Sequence, residues 1–190
     1  MVKLLELYSG THSVGKVAKQ KGWEVISLDL DNADINIDIL KWDYKKDYKE
    51  GDFDILWASP PCHTFSHCRR SWIGRKIKAF GDEIVTAEML DEDMEKNGVP
   101  ILNKTLEIIE YFKPKFWFIE NPQTSKMKNY LTHLNYYDVD YCKYSDWGYR
   151  KRTRIWTNKE GFIPKICRKD CENMFDPKKH KKKYRQFLQK

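Results

Sequence analysis

Leu4-Leu5-Glu6-Leu7-Tyr8-Ser9-Gly10-Thr11-His12-Ser13-Val14-Gly15 is the stretch on which the fold is read. Residues 4–8 form the short apolar run of a strand, and residues 14–21 have the length and composition of a helix. A glycine-bearing turn joins them. Glycine accepts positive φ and lets the backbone approach a ligand closely, and the helix that follows begins with N–H groups that lack partners inside it. Residues 24–28 form a second strand that ends at Asp29. A carboxylate about 20 residues after such a turn can accept both hydroxyls of a ribose. The same acid can equally cap a helix or sit solvated in a turn, and the residues alone leave both roles open.

The alternation continues outward from this unit. Further strands are expected at 36–39, at 53–58 ahead of Ser59-Pro60-Pro61, and at 116–119, with additional ones at 137–141 and 154–157. Residues 101–112 carry Leu102, Leu106 and Ile109 at helical spacing and stop at Lys113-Pro114. Strands alternating with helices imply an α/β domain with a mostly parallel sheet and helices on both faces. Such sheets bind ligands at the carboxyl ends of their strands. The segment 63–100 is the least regular: basic as far as Lys78, acidic from Asp82 to Glu95, and without apolar period until Ile101. A long loop inside a compact domain is usually functional. The expected organisation is a catalytic domain over 1–160 and a basic extension over 161–190.

Composition bounds the rest. Hydrophobic residues at 41% and aromatics at 14% suffice for a core and argue against disorder. No run of 18 apolar residues occurs and the N-terminus lacks the apolar stretch of a secretion signal, so an intracellular, cytoplasmic protein without membrane contact is expected. The net charge of +7 is concentrated in Arg69, Arg70, Arg75, Lys76 and Lys78, in Arg150, Lys151, Arg152 and Arg154, and in the run from Lys178 to Lys183. Clustered cations favour a polyanionic partner, here nucleic acid. Five cysteines form no even disulfide set and are read as free thiols.

Two strand ends bear reactive groups. In Trp57-Ala58-Ser59-Pro60-Pro61-Cys62-His63-Thr64-Phe65-Ser66, a cysteine follows an apolar strand and two prolines and leads into a polar, basic loop. A thiolate there is a nucleophile, and basic neighbours favour it. In Phe116-Trp117-Phe118-Ile119-Glu120-Asn121-Pro122, an acid ends a very apolar strand. Burying it is costly without a role, although it could also cap the next helix.

Together these residues resemble the DNA (cytosine-5)-methyltransferase family. The Tyr8-Ser9-Gly10 turn is similar to its cofactor motif, and Pro61-Cys62 with Phe65-Ser66 to its nucleophile motif. Glu120-Asn121 and Arg152-Thr153-Arg154 resemble its glutamate-asparagine and paired-arginine motifs, in family order over residues 3 to 157. The resemblance implies a Rossmann-like, S-adenosylmethionine-dependent methyltransferase fold. It also implies methyl transfer to carbon 5 of cytosine in DNA, on a base flipped from a duplex or already single-stranded. Cys62 would attack C6, a protonated Glu120 would serve N3, and Arg154 would bond O2 with Arg152 in support. Tyr8, Gly10, Thr11 and Ser13 would surround the methionine portion of S-adenosylmethionine. Asp29 and Leu30 would meet ribose and adenine, Asp38 and Ile39 the adenine, with Pro61 beside it and Ile101 loosely aligned to the same pocket. Ser66, Arg69, Arg70, Arg75 and Lys76 would lie on the mobile loop that closes over DNA.

The chain departs from the family pattern at several places. His12 stands where a second glycine is frequent, Arg150 where a glutamine precedes the arginine pair, and Pro122 where valine is common. Neither a target-recognition region nor the final motif completing the cofactor pocket is recognisable, so weak specificity or a partner chain supplying it is expected. Cys167 and Cys171 with His180, and Cys142 or His133 nearby, are zinc-ligand types, but free thiols on a basic tail are the reading adopted, with no metal. Two competing functions remain: a catalytically silent DNA-binding relative, and a methyltransferase acting on RNA cytosine. A compact, lysine-rich enzyme suits a phage or virus, while restriction, self-protection and regulation stay open as roles.

Overall fold

A computed structural model describes residues 1–144 and 151–171. Seven strands form one sheet in the order β3-β2-β1-β4-β5-β7-β6. These are β1 (Lys3–Leu7), β2 (Glu24–Asp29), β3 (Ile35–Asn36), β4 (Ile55–Ala58), β5 (Phe116–Pro122), β6 (Tyr136–Asp140) and β7 (Arg152–Thr157). Strands β1 to β5 all pair in parallel, whereas β7 runs antiparallel to both β5 and β6. The architecture is the Rossmann-like α/β fold expected, with an antiparallel edge. Because β2 lies on one side of β1 and β4 on the other, the chain direction switches there, and the crevice at such a switch point binds ligands.

Alternation of side chains divides the core. Leu5, Leu7, Leu28, Leu56, Ala58 and Ile119 point to the face covered by α4 (Val99–Phe112) through Leu102, Ile108, Ile109 and Phe112. Beneath the end of α4, Trp42, Tyr44, Tyr48 and Phe53 meet Phe112 at ring separations of 4.9 to 6.3 Å, mostly edge-on or tilted. Such aromatic pairs add about 0.5–1.5 kcal/mol each beyond area burial. On the opposite face Leu4 and Val25 pack with Ala18 of α1 (Ser13–Gln20), a much smaller cluster.

Two expectations are corrected. The third strand is confined to Ile35–Asn36, because Asp38 accepts from Leu40 N at 3.0 Å and caps a 3-10 turn over Ile39–Lys41 instead. The acidic part of segment 63–100 is helical: α3 (Ala87–Asp93) follows the small α2 (Tyr44–Asp47) in chain order and runs through a π-turn, Met94–Gly98, into α4. Leu90, Met94, Gly98 and Leu102 form its buried stripe at spacings of four. The π-turn sits where Pro100 can neither donate to nor tolerate a normal helical carbonyl, a common cause of such bulges. Segment 161–171, by contrast, has no regular structure and lies along the free edge of β6, with Asp140 N donating to Lys165 O at 3.3 Å. Among the described residues no helix is long and apolar enough to cross a membrane.

Candidate active site

Strand register sets the site. Leu7 pairs with Leu28 and with Ala58, and Ala58 with Ile119, so the next residues, Tyr8, Asp29, Ser59 and Glu120, leave the sheet along one edge. Antiparallel pairing of Asn121 with Arg154 brings β7 to the same edge, and Asp138 and Asp140 of β6 stand opposite Arg154 and Arg152.

The turn after β1 is built from left-handed residues: Tyr8 at φ 59°, Gly10 at 49° and His12 at 58°. His12 therefore occupies a conformation that favours glycine, and its ring bonds Asn32 O at 2.6 Å across to the loop after β2. Buried Glu6 accepts from Val14 N at 3.2 Å and Gly15 N at 3.1 Å, capping α1 from below. Burial pushes its carboxyl above the ordinary value, with those two N–H groups opposing the rise. Gly15 is required by this contact, since a Cβ there would stand 2.4 Å from Glu6 Oε2. Thr11 and Ser13 bond each other at 2.9 Å.

A cleft of about 540 Å³ opens beside this turn, lined by Tyr8, Asp29, Leu30, Asp38, Ile39, Pro61 and Ile101 among others. The residues assigned to a cofactor thus divide: these line the cleft, whereas Gly10, Thr11 and Ser13 shape the turn next to it. Asp29 accepts from Gly10 N at 2.8 Å with one oxygen and from Leu30 N at 2.7 Å with the other. Its carboxylate is thereby fixed in orientation while each oxygen keeps a free acceptor site. Tyr8 Oη spans to α4, bonding Thr105 Oγ1 at 2.7 Å and Ile101 O at 3.3 Å. A lining that joins Asp29 and Asp38 with Leu28, Ile37, Ile39 and Ile101 fits a polyhydroxyl group joined to a flat apolar ring.

Cys62 is exposed in the loop after β4. The loop is held from behind: Asn121 Nδ2 donates to Pro60 O at 2.9 Å, and Lys126 N to Phe65 O at 2.9 Å. Thr64 and Phe65 pack on the π-turn at Gly98, where a Cβ would lie 2.4 Å from Thr64 Oγ1 and 3.0 Å from the Phe65 ring. Neither Gly98 nor the π-turn was legible as part of the site.

At the β5–β7 edge, Glu120 pairs with Lys151 Nζ at 3.3 Å, a partner not anticipated. Arg154 is clamped by both oxygens of Asp138, at 2.7 and 2.9 Å, and stacks on Tyr136 at 3.6 Å. Arg152 is clamped by Asp140 at 3.0 and 2.7 Å. Sequence reasoning missed both acids, although Tyr136, Asp138 and Asp140 alternate along one strand as Arg152 and Arg154 do along the next.

Of the cations assigned to DNA, Arg70, Arg75 and Lys76 are exposed on the loop. Arg69 is not: only 7% exposed, it bonds Thr64 O and pairs with Asp93 of α3, bracing the loop from inside. Ser66 caps the 3-10 helix His67–Trp72 by accepting from Cys68 N at 3.2 Å. Arg150, His180 and the run from Lys178 to Lys183 lie outside the described residues.

No family model matches the chain. A curated relative, the probable DNA (cytosine-5)-methyltransferase of Frog virus 3 (isolate Goorha), is 50% identical over 176 residues, 91% of this chain and 79% of its own length. Among solved structures, the S. pombe Dnmt2 methyltransferase aligns at 14% identity with a TM-score of 0.47, over 89% of this chain and 52% of its own. WbdD in complex with the kinase inhibitor LY294002 aligns at 12% identity with a TM-score of 0.43, over 85% of this chain and 37% of its own. This chain therefore spans about half the length of the first solved structure and little more than a third of the second. With half its residues shared with the viral relative across most of both chains, it belongs to the DNA (cytosine-5)-methyltransferase family.

Proposed function

We propose that the chain transfers the methyl group of S-adenosylmethionine to carbon 5 of cytosine in DNA through a covalent bond from Cys62. The observation that carries this reading is the single edge on which the Cys62 loop, Glu120 and the Arg152–Arg154 strand meet beside an acid-rimmed, apolar cleft. Bound S-adenosylmethionine supplies an electrophilic methyl on a sulfonium. Asp29 and Asp38 would hold its hydroxyls and ring edge, with Leu28, Ile39 and Ile101 against the ring.

Cys62 Sγ, once deprotonated, adds to cytosine C6, and the electron pair displaced from the C5–C6 double bond makes C5 nucleophilic. Glu120 meets the charge developing at N3 with a proton or a hydrogen bond, which requires the Lys151 ion pair to open when the base enters. Arg154, held rigid by Asp138, offers its remaining N–H groups to the base O2, and needs no reorganisation to do so. After C5 takes the methyl, loss of the C5 proton to a base restores the double bond and expels the Cys62 thiolate. The balance is one methyl gained and one proton lost at C5. None of this is reachable in a stacked duplex, so the substrate cytosine is flipped out or single-stranded. Arg70, Arg75 and Lys76, exposed on the loop, would meet phosphates.

The test is incorporation of labelled methyl from S-adenosylmethionine into single- and double-stranded DNA of mixed sequence. Label is expected as 5-methylcytosine, and Cys62→Ala is expected to lower it by at least about a thousandfold while cofactor binding persists. Cofactor and DNA binding without label would instead identify a silent DNA-binding relative, and label on RNA alone would move the substrate.

A further inference from the structure

Away from the reacting edge, Cys142, Cys167 and Cys171 converge: their Sγ atoms all lie within 4.8 Å of one another, with Cys167 and Cys171 at 3.3 Å. Cys142 lies in the 3-10 turn Tyr141–Lys143 directly after β6, and the other two form a Cys-x3-Cys pair. A tetrahedral metal with bonds of about 2.3 Å to sulfur sets its thiolates about 3.8 Å apart, close to the separations found, and Cys-x2–4-Cys is the spacing such sites use. Buried cysteines are common as small apolar residues, so burial alone decides nothing.

What decides is how poorly the segment is otherwise anchored. From 158 to 171 the chain has no helix or strand, and Cys167 is its only buried residue. Phe162, Ile163 and Ile166 are all exposed. Its other anchors are few: the edge-on contact of Phe162 with Tyr137 at 5.4 Å, Asp140 N to Lys165 O at 3.3 Å, Lys165 N to Tyr144 Oη at 2.7 Å, Cys167 N to Asp140 Oδ2 at 2.7 Å, and the exposed pair of Lys143 with Asp170 at 2.8 Å. A segment that buries almost no apolar surface cannot offset its ordering entropy without a cross-link.

We propose that Cys142, Cys167 and Cys171 bind a zinc ion as thiolates, forming a structural site that pins segment 161–171 to the end of β6. The thiols release their protons to solvent as the metal binds. The fourth position is filled by water. The site reaches the arginine strand through Asp140. Asp140, fully buried, accepts from Cys167 N with the same oxygen that bonds Arg152, so the metal stiffens the carboxylate that orients the arginine. That consequence rests on the methyl-transfer reading; the metal site does not.

Full-length protein produced with zinc available and desalted is expected to carry about one zinc per chain by elemental analysis. Cys167→Ser and Cys171→Ser should each lose it, while Cys68→Ser keeps it. Should those variants fail to fold, thiol labelling of the unaltered native chain still decides. Two of the five thiols, Cys62 and Cys68, should react with metal bound, and all five after chelation, with zinc released in step. No zinc on the purified chain, full zinc on the serine variants, or labelling unchanged by chelation would each overturn the site. Loss of methyl transfer with zinc retained would count against the reaction proposed for Cys62 and leave the metal site standing.

Discussion

The two sides of the reacting edge hold their chemical groups by opposite means. On the β4 side, Cys62 is exposed, and order comes from its neighbours: Pro60 through Asn121, Phe65 through Lys126, and Thr64 with Phe65 against Gly98. On the β7 side, each guanidinium is itself gripped by two oxygens of a β6 carboxylate. The difference fits the tasks. In the reaction proposed, the nucleophile moves toward C6 and back, which an anchored backbone with a free side chain allows. An electrostatic donor acts best when already aimed, so its side chain is the part that is fixed.

The comparison can be broken most strongly on the arginine side. Arg154→Lys keeps the charge but loses the two-pronged grip of Asp138 and the stacking on Tyr136. Turnover is expected to fall on the order of 100-fold, with S-adenosylmethionine affinity unchanged. Near-normal turnover would mean that charge, and not aim, is what β7 supplies. On the nucleophile side, Gly98→Ala forces a methyl against Thr64 and Phe65. Overpacking of about 1–3 kcal/mol outweighs the gain of up to about 1 kcal/mol from replacing a helical glycine. A drop of about 3–6 °C in melting temperature is expected, together with slower turnover, and Thr64→Ala in the same chain should recover part of both. Unchanged turnover in the destabilised variant would show that the anchor serves stability alone.

The smallest expected effect sharpens the comparison from the cofactor turn. Glu6 has its carboxyl raised by burial from the ordinary 4.5, so the folded chain holds that proton more tightly than the unfolded chain does. Its ionisation therefore costs stability as pH rises from 4.5 through the folded value, and adds no further cost above it. The difference in melting temperature between Glu6→Gln and the unaltered chain should shift in the variant's favour across that window. A difference that stays flat with pH would show that the N–H groups of Val14 and Gly15 fully offset burial.

The parts legible in the sequence share one physical origin. Tyr8, Asp29, Cys62 and Glu120 each follow a short apolar run, and in a parallel sheet the ends of such runs come together whatever the loops do. The parts that were not legible depend on contacts between distant segments. Arg69 reads as a surface cation until Asp93 and Thr64 draw it inward. Residues 87–100 read as irregular because their buried stripe is interrupted by a glycine and shifted by a π-turn. Cys142 stands far in sequence from Cys167, and the return of segment 161–171 along the outer edge of β6 brings them together. Asp138 and Asp140 were legible in principle, as alternating acids ready to face alternating arginines.

The position of β7 has a consequence for the order in which the chain is made. Among the described residues it is the last strand to be synthesised, yet it sits between β5 and β6. Domains emerge from the ribosome at about 5–20 residues per second and begin folding N-terminus first. The parallel strands and the cleft can therefore assemble while β5 still waits with an open edge, and open edges invite pairing with other chains. The arginines then arrive on a finished hairpin that slots into that edge. Until it docks, a nascent chain has the Cys62 loop and the acid-lined cleft but not Arg152 and Arg154 beside them.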